Sequence, residues 1–180
     1  MTTDDLEMAR NKPQMAAAAA IVVFGALAIA TVYFFQYVLL ILPCPLCLEQ
    51  RIAFYFAVPL AALLWLGASY GASRKVMLLG FLAITLAMLW NSGLSVYHAG
   101  VEWKWWQGPL DCSGPIAKFG DARDIMSELH NRISLVRCDE AAWRFLGISL
   151  AGYDAPLSLF LAIVAGCGAR ASLAKRGQAD

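Results

Sequence analysis

The chain has 180 residues, of which 60% are hydrophobic and 15% charged, with a formal net charge of +1 and a mean hydropathy of +0.60. Soluble domains of this size carry about 25% charged residues, so much of this surface is not built for water. A near-neutral chain with no basic field also excludes nucleic acid as the expected partner.

The apolar residues are grouped into blocks. Residues 15–42 hold no Asp, Glu, Lys or Arg in 28 positions, residues 52–73 none in 22, and residues 76–97 none in 22. About 20 apolar residues cross a bilayer, and blocks of this length are hydrophobic around the whole helix circumference, which excludes a soluble apolar protein. The first block is too long for a signal-peptide core, and Arg10 and Lys12 are outnumbered by the three acids before it, so it reads as an uncleaved anchor. The fourth block is shorter: Asp154 precedes it and Arg170 closes it after the 15 uncharged residues 155–169. Snorkelling of Arg170, or continuation through 172–174, supplies the missing length. The expected fold is therefore an all-α membrane protein with one domain over 1–180. It is a four-transmembrane-helix bundle, with helices at about 15–42, 50–72, 76–97 and 152–173 and a long loop of about 98–150 between helices 3 and 4.

Four spans put both termini on one side of the lipid bilayer. Arg10, Lys12, Arg74, Lys75, Arg170, Lys175 and Arg176 crowd that side at helix ends, which makes it cytoplasmic. Arg51, Lys104, Lys118, Arg123, Arg132, Arg137 and Arg144 lie on the other, but all except Arg51 are diluted along a long loop with seven acids. Four of the five cysteines, Cys44, Cys47, Cys112 and Cys138, fall outside the cytosol, where disulfides persist. Cys167 falls within the last span and reads as a small buried apolar residue.

The loop opens on a tryptophan-rich stretch, 101–107, suited to the headgroup boundary. Ile116, Phe119, Ile125, Met126, Leu129 and Ile133 then recur at helical spacing. That pattern fits either an amphipathic helix on the membrane or a helix packed on the loop's own core.

The chemistry lies in the cysteines. Cys44-Pro-Leu-Cys47 joins the first two apolar blocks, and a lone C-x-x-C serves zinc, redox or haem attachment. Haem attachment requires His after the second Cys, and Leu48 stands there. Zinc would find four thiolates in Cys44, Cys47, Cys112 and Cys138, with His98 in reserve. Two pairs in an exported membrane loop fit thiol oxidation better, and no metal is expected. Pro43 and Pro45 set the chain for a helix beginning near Cys47, whose dipole favours a thiolate. Arg51, four residues on, shares a helix face with Cys47 and suits either a thiolate, an anionic oxygen of a bound molecule, or lipid phosphate. His98, at the end of the third span, is a candidate for the same site or a structural hydrogen-bonder. Cys112 and Cys138 enclose 25 residues, a loop disulfide open to attack by a partner's thiolate or else an inert staple.

Cys-Pro-Leu-Cys-Leu-Glu-Gln-Arg resembles the C-x-L-C-x-x-Q-R signature of the DsbB family of bacterial inner-membrane proteins. Tyr97-His98-Ala-Gly-Val-Glu102, Trp106-Gln-Gly-Pro109, Cys112, Cys138 and Trp143-Arg-Phe-Leu-Gly147 follow in the family's order over essentially the whole chain. The resemblance implies a quinone-linked thiol oxidase whose termini are cytoplasmic and whose cysteine pairs are periplasmic. By it, Cys112 forms a mixed disulfide with a DsbA-like thioredoxin-fold partner, and Cys138 then attacks Cys44. Cys47, released as thiolate, faces a membrane quinone (ubiquinone or menaquinone), Arg51 contacts a quinone oxygen, and His98 lies near that site. A DsbI-like oxidase with another soluble partner is the sister reading. Vitamin K-type epoxyquinone reductases place their loop cysteines before the C-x-x-C, and here they follow it. A zinc-binding or structural membrane protein is the non-enzymatic reading.

Overall fold

The computed structural model describes residues 3–109 and 138–173, with side chains from Lys12 onward. Four helices carry the fold: α1 (Thr3–Tyr37), α2 (Pro45–Ser69), α3 (Arg74–Glu102) and α4 (Leu150–Leu173). Each contains a stretch long and apolar enough to cross a membrane, in α1 from Lys12 to Tyr37. Between α3 and α4 the described chain adds a small hairpin, β1 (Arg144–Phe145) paired antiparallel with β2 (Ile148–Ser149). Leu146 and Gly147 both take positive φ, 49° and 84°, the twist a two-residue hairpin turn needs.

The bundle closes as a ring, with α1 packed on α2, α2 on α3, α3 on α4 and α4 back on α1. Its interior is built from small residues that let backbones approach: Ala18, Ala57, Ala61 and Ala165 around Ile21, Phe81, Ile84 and Met88. At Gly168 a Cβ would come within 2.7 Å of the Phe81 ring, so only glycine allows the α3–α4 contact there. The outer surface is as apolar as the interior, with Leu27, Leu63, Leu86, Trp90 and Ile163 exposed. That inversion suits hydrocarbon, not water. Cys167 belongs to this outer face and is exposed, contrary to the expectation of burial. The 3.6-residue period turns it away from Ala165, Gly168 and Ala169, which face the core.

One end of the bundle is tied by polar contacts. Arg74 donates to the carbonyls of Ser172 and Leu173, satisfying the C-terminal carbonyls of α4, and Gln14 donates to Ser172 Oγ at 3.1 Å. The starts of α1 and α3 and the end of α4 therefore meet there. Cys44, Cys47 and Cys138 gather at the other end, with the end of α1, the start of α2, the end of α3 and the start of α4.

The four spans stand where the charge-free blocks put them, with shifted ends. α1 stops at Tyr37, short of 42, and Leu40 turns the chain at φ 54°. α2 begins at Pro45 rather than near 50, and α3 runs on through His98 to Glu102. Cys112 and the proposed amphipathic segment around Ile116–Ile133 lie outside the described residues.

Candidate functional site

Cys44 is the N-cap of α2, with extended backbone (φ −77°, ψ 166°), and Pro45 takes the first helical position, where its missing N–H costs nothing. The cap is a sulfur: Cys47 N–H donates to Cys44 Sγ at 3.2 Å, and Cys44 O accepts from Leu48 N at 3.1 Å. This geometry carries the two sulfurs of the C-x-x-C to 2.6 Å from each other. From α3, His98 Nε2 reaches Cys44 Sγ at 3.6 Å. His98 is 1% exposed, deep in the protein and not at its boundary.

Cys138 arrives from the loop between α3 and α4. It is fully buried, disulfide-bonded, and packed with Cys44, Leu46 and Val101. Its Sγ, Cys44 Sγ and a His98 ring nitrogen all lie within 4.8 Å of one another. Cys44 and Cys47 are free thiols. Three of the four cysteines singled out in the sequence thus converge on one buried spot, and the fourth, Cys112, lies outside the described residues.

Beside the sulfurs opens a cavity of about 330 Å³. Its walls include Phe24, Leu27, Val32, Phe35, Phe54 and Leu157, with Cys44, Cys47, Gln50, Arg51, His98 and Glu102 at its polar end. Arg51 Nη1 donates to Gln36 Oε1 at 2.6 Å, and its guanidinium stands over the Tyr33 ring at 5.7 Å. These contacts hold Arg51 against α1, where it lines the cavity. Buried donors Arg51 Nε and Gln50 Nε2, the ring nitrogen His98 Nδ1 and the acceptor Glu102 Oε2 have no hydrogen-bond partner among the described residues. Native proteins rarely leave such groups unpaired, so an apolar cavity ringed by idle donors suits a molecule with a carbonyl-type acceptor on a greasy body.

Of the acids that line the cavity, Glu102 and Asp154 sit on the helices that carry the site, and neither was singled out in the sequence. Glu102 lies one turn past His98, its Oε1 3.8 Å from His98 Nε2, and it hydrogen-bonds Ser149 of β2. Asp154, taken in the sequence as the edge of a span, lies inside α4 and lines the cavity. Ser95 Oγ donates to Asp154 Oδ2 at 2.6 Å and Asn91 Nδ2 donates to it at 3.0 Å, pinning α4 to α3. A lone acid beside an apolar block is itself the signal that would have found it, because ionisable groups at membrane depth survive only when paired or functional.

The electrostatics favour a charged Cys44. Its thiol is pulled down from 9.0 to about 5, chiefly because the Cys47 thiol donates to its sulfur. Burial opposes this, while His98 and the Cys47 N–H add to it. The sign is that of an acid with a lowered pKa: the anion persists above about 5 and is protonated below it. In protein with the pair reduced, the ultraviolet thiolate band lost on Cys44→Ser should titrate with a midpoint near 5, and His98→Ala should move it upward. A midpoint left near the ordinary thiol value of 9.0 would contradict this arrangement.

A similar protein is the disulfide bond formation protein B of Xanthomonas axonopodis pv. citri, 32% identical over 60% of this chain and 62% of its own length. That of Marinobacter nauticus is 32% identical over 73% and 76%, and that of a Psychrobacter species 27% over 68% and 70%. The matched stretch thus spans less than two thirds of the Xanthomonas protein and about three quarters of the Marinobacter one. No solved structure matches. The family model described as disulfide bond formation protein DsbB matches residues 12–168, nearly the whole chain, and the chain belongs to the DsbB family.

Proposed function

We propose that this protein is a quinone-linked thiol oxidase that regenerates the disulfide of a DsbA-like, thioredoxin-fold protein. It does so in the bacterial inner membrane, with both termini cytoplasmic and the cysteine pairs facing the periplasm. The observation that carries the reading is the approach of Cys138, one half of a disulfide, to the Cys44 sulfur within 4.8 Å at the polar end of an apolar cavity.

The partner's thiolate attacks the loop disulfide at Cys112, forming a mixed disulfide and releasing Cys138 as thiolate. The partner's second thiol then attacks its own sulfur in the mixed bond and leaves as a disulfide, and Cys112 becomes a thiol. Two electrons and two protons have passed to the loop pair. Cys138 attacks Cys44 of an oxidised Cys44–Cys47 pair, forming a Cys44–Cys138 bond and releasing Cys47 as thiolate beside the cavity. Cys112 then attacks Cys138, restoring the loop disulfide and leaving the C-x-x-C reduced.

A quinone bound in the cavity supplies the two-electron acceptor and, by its tail, the link to the membrane pool. The residues fit it: Arg51, Gln50 and His98 offer unpaired donors to its oxygens, and the apolar walls suit a ring and prenyl chain. The chain's own part is positional. Cys44 caps a helix so that its sulfur is anionic when reduced, Arg51 is held by Gln36 and Tyr33, and His98 joins the sulfurs to the cavity.

The test uses purified protein in nanodiscs with a reduced thioredoxin-fold dithiol protein and one quinone at a time. Oxidation of the dithiol with stoichiometric quinone loss is expected for at least one of ubiquinone and menaquinone. Oxidation that proceeds equally without any quinone, or not at all with either, would sink the reading.

A further inference from the structure

The same buried sulfurs form a donor set whose chemistry goes beyond thiol exchange. We propose that, when both cysteine pairs are reduced, Cys44, Cys47, Cys138 and His98 Nε2 bind one zinc ion or a similar thiophilic divalent cation, and that the metal locks the protein reduced.

The geometry is close to what such an ion asks. Sulfur ligands at about 2.3 Å in a tetrahedral site stand about 3.8 Å from one another, with a histidine nitrogen slightly nearer. Cys44 Sγ and His98 Nε2 are already 3.6 Å apart, and Cys138 Sγ is within 4.8 Å of both. Cys47 Sγ, now 2.6 Å from Cys44 Sγ, stands outside that set of three, so to reach its corner it has to draw away from Cys44 by about 1 Å and turn toward His98 and Cys138. Three donors come from two packed helices, so the protein pre-positions them, and Cys138 is seated by its own buried packing. Cys44, His98 and Cys138 are all buried, as in closed metal sites that keep water out.

Charge and coordination chemistry point the same way. Three thiolates and a dication leave one negative charge, and Arg51 lines the same cavity. Binding expels the thiol protons and moves no electrons, so every sulfur stays reduced. In the oxidised protein the same sulfurs are tied in disulfides and are not thiolate donors. Metal and oxidation therefore exclude each other, and by linkage the metal favours the reduced state. One feature limits the affinity. With the metal on Nε2 the ring proton sits on Nδ1, which has no partner among the described residues. Missing outer support of this kind weakens metal sites by about 10–100-fold, which places this one in a reversible range.

The proposal relies on the oxidase reading only for how the fully reduced state arises in turnover, and chemical reduction reaches that state independently. The test titrates full-length protein in nanodiscs, reduced and freed of reductant under argon, with Zn²⁺ against a chromophoric chelator and then with Co²⁺. One ion per reduced chain is expected, none in the oxidised chain, and Co²⁺ should show sulfur-to-cobalt charge transfer with strong tetrahedral visible bands. Cys138→Ser and His98→Ala should each weaken binding at least tenfold, and Cys167→Ser should leave it unchanged. Zn²⁺ should stop dithiol oxidation by pre-reduced protein, and chelation should restore it. Reduced protein that takes up no ion, takes up as much when oxidised, or binds equally tightly as Cys138→Ser overturns the site. Failure of metal-free protein to oxidise any dithiol would instead count against the oxidase reading and leave the titration standing.

Discussion

Cys47→Ser protein, purified without reductant, is expected to carry a disulfide between Cys44 and Cys138 and to have lost dithiol oxidation by at least about a thousand-fold. The argument is geometric. With serine at 47, Cys44 has no thiol to bond within its own motif, and although the lowering by the Cys47 thiol is gone, the helix-cap N–H and His98 still favour its thiolate. It stands within 4.8 Å of Cys138, already half of a disulfide. Attack there forms the Cys44–Cys138 bond, breaks the loop bond and expels the other loop sulfur as thiolate, so the electron count is unchanged. Peptide mapping under non-reducing conditions would show the cross-link directly. Cys112→Ser should behave differently, blocking exchange with the protein partner while leaving quinone binding intact. A Cys47→Ser protein that keeps dithiol oxidation, or one with Cys44 unbonded, would refute the relay.

The spans were legible because charge is nearly forbidden in hydrocarbon, so its absence over 22 or more residues marks a helix by itself. The same logic misplaced their ends. His98, Glu102 and Asp154 looked like loop or boundary residues, since a titratable side chain ordinarily leaves the membrane. Here they lie inside α3 and α4, held by Ser149, Ser95 and Asn91 or facing the sulfurs. Their partners come from other helices and from the hairpin, which no local spacing announces. The hairpin itself has two strands of two residues, too short for any alternation to register. The C-x-x-C stands out in the sequence by its spacing, whereas its capping role depends on the helix starting at Pro45, well ahead of the charge-free block at 52–73. Cys167 was misjudged because in a bundle bathed in lipid an apolar residue suits the outer face as well as the core.

Arg51→Leu should raise the KM for quinone by about 10–100-fold, the equivalent of losing one charged hydrogen bond worth about 1.5–3 kcal/mol. The sequence left Arg51 with three uses, a thiolate, a bound oxygen or lipid phosphate. The structure separates them. Cys44 owes its lowered acidity range to Cys47 and His98, and Arg51 is not among the causes. Arg51 instead bonds Gln36 on α1, lies over Tyr33, and leaves Nε unpaired on the cavity. A residue so held is placed to contact whatever fills the cavity. Arg51→Lys keeps the charge but not the planar fork, so its KM should fall between wild type and Arg51→Leu. Gln36→Leu, which removes the brace, should shift KM in the same direction by a smaller factor. If Arg51→Leu lowered kcat, left KM unchanged and moved the Cys44 titration upward, the guanidinium would belong to the sulfurs, and the cavity would need another anchor.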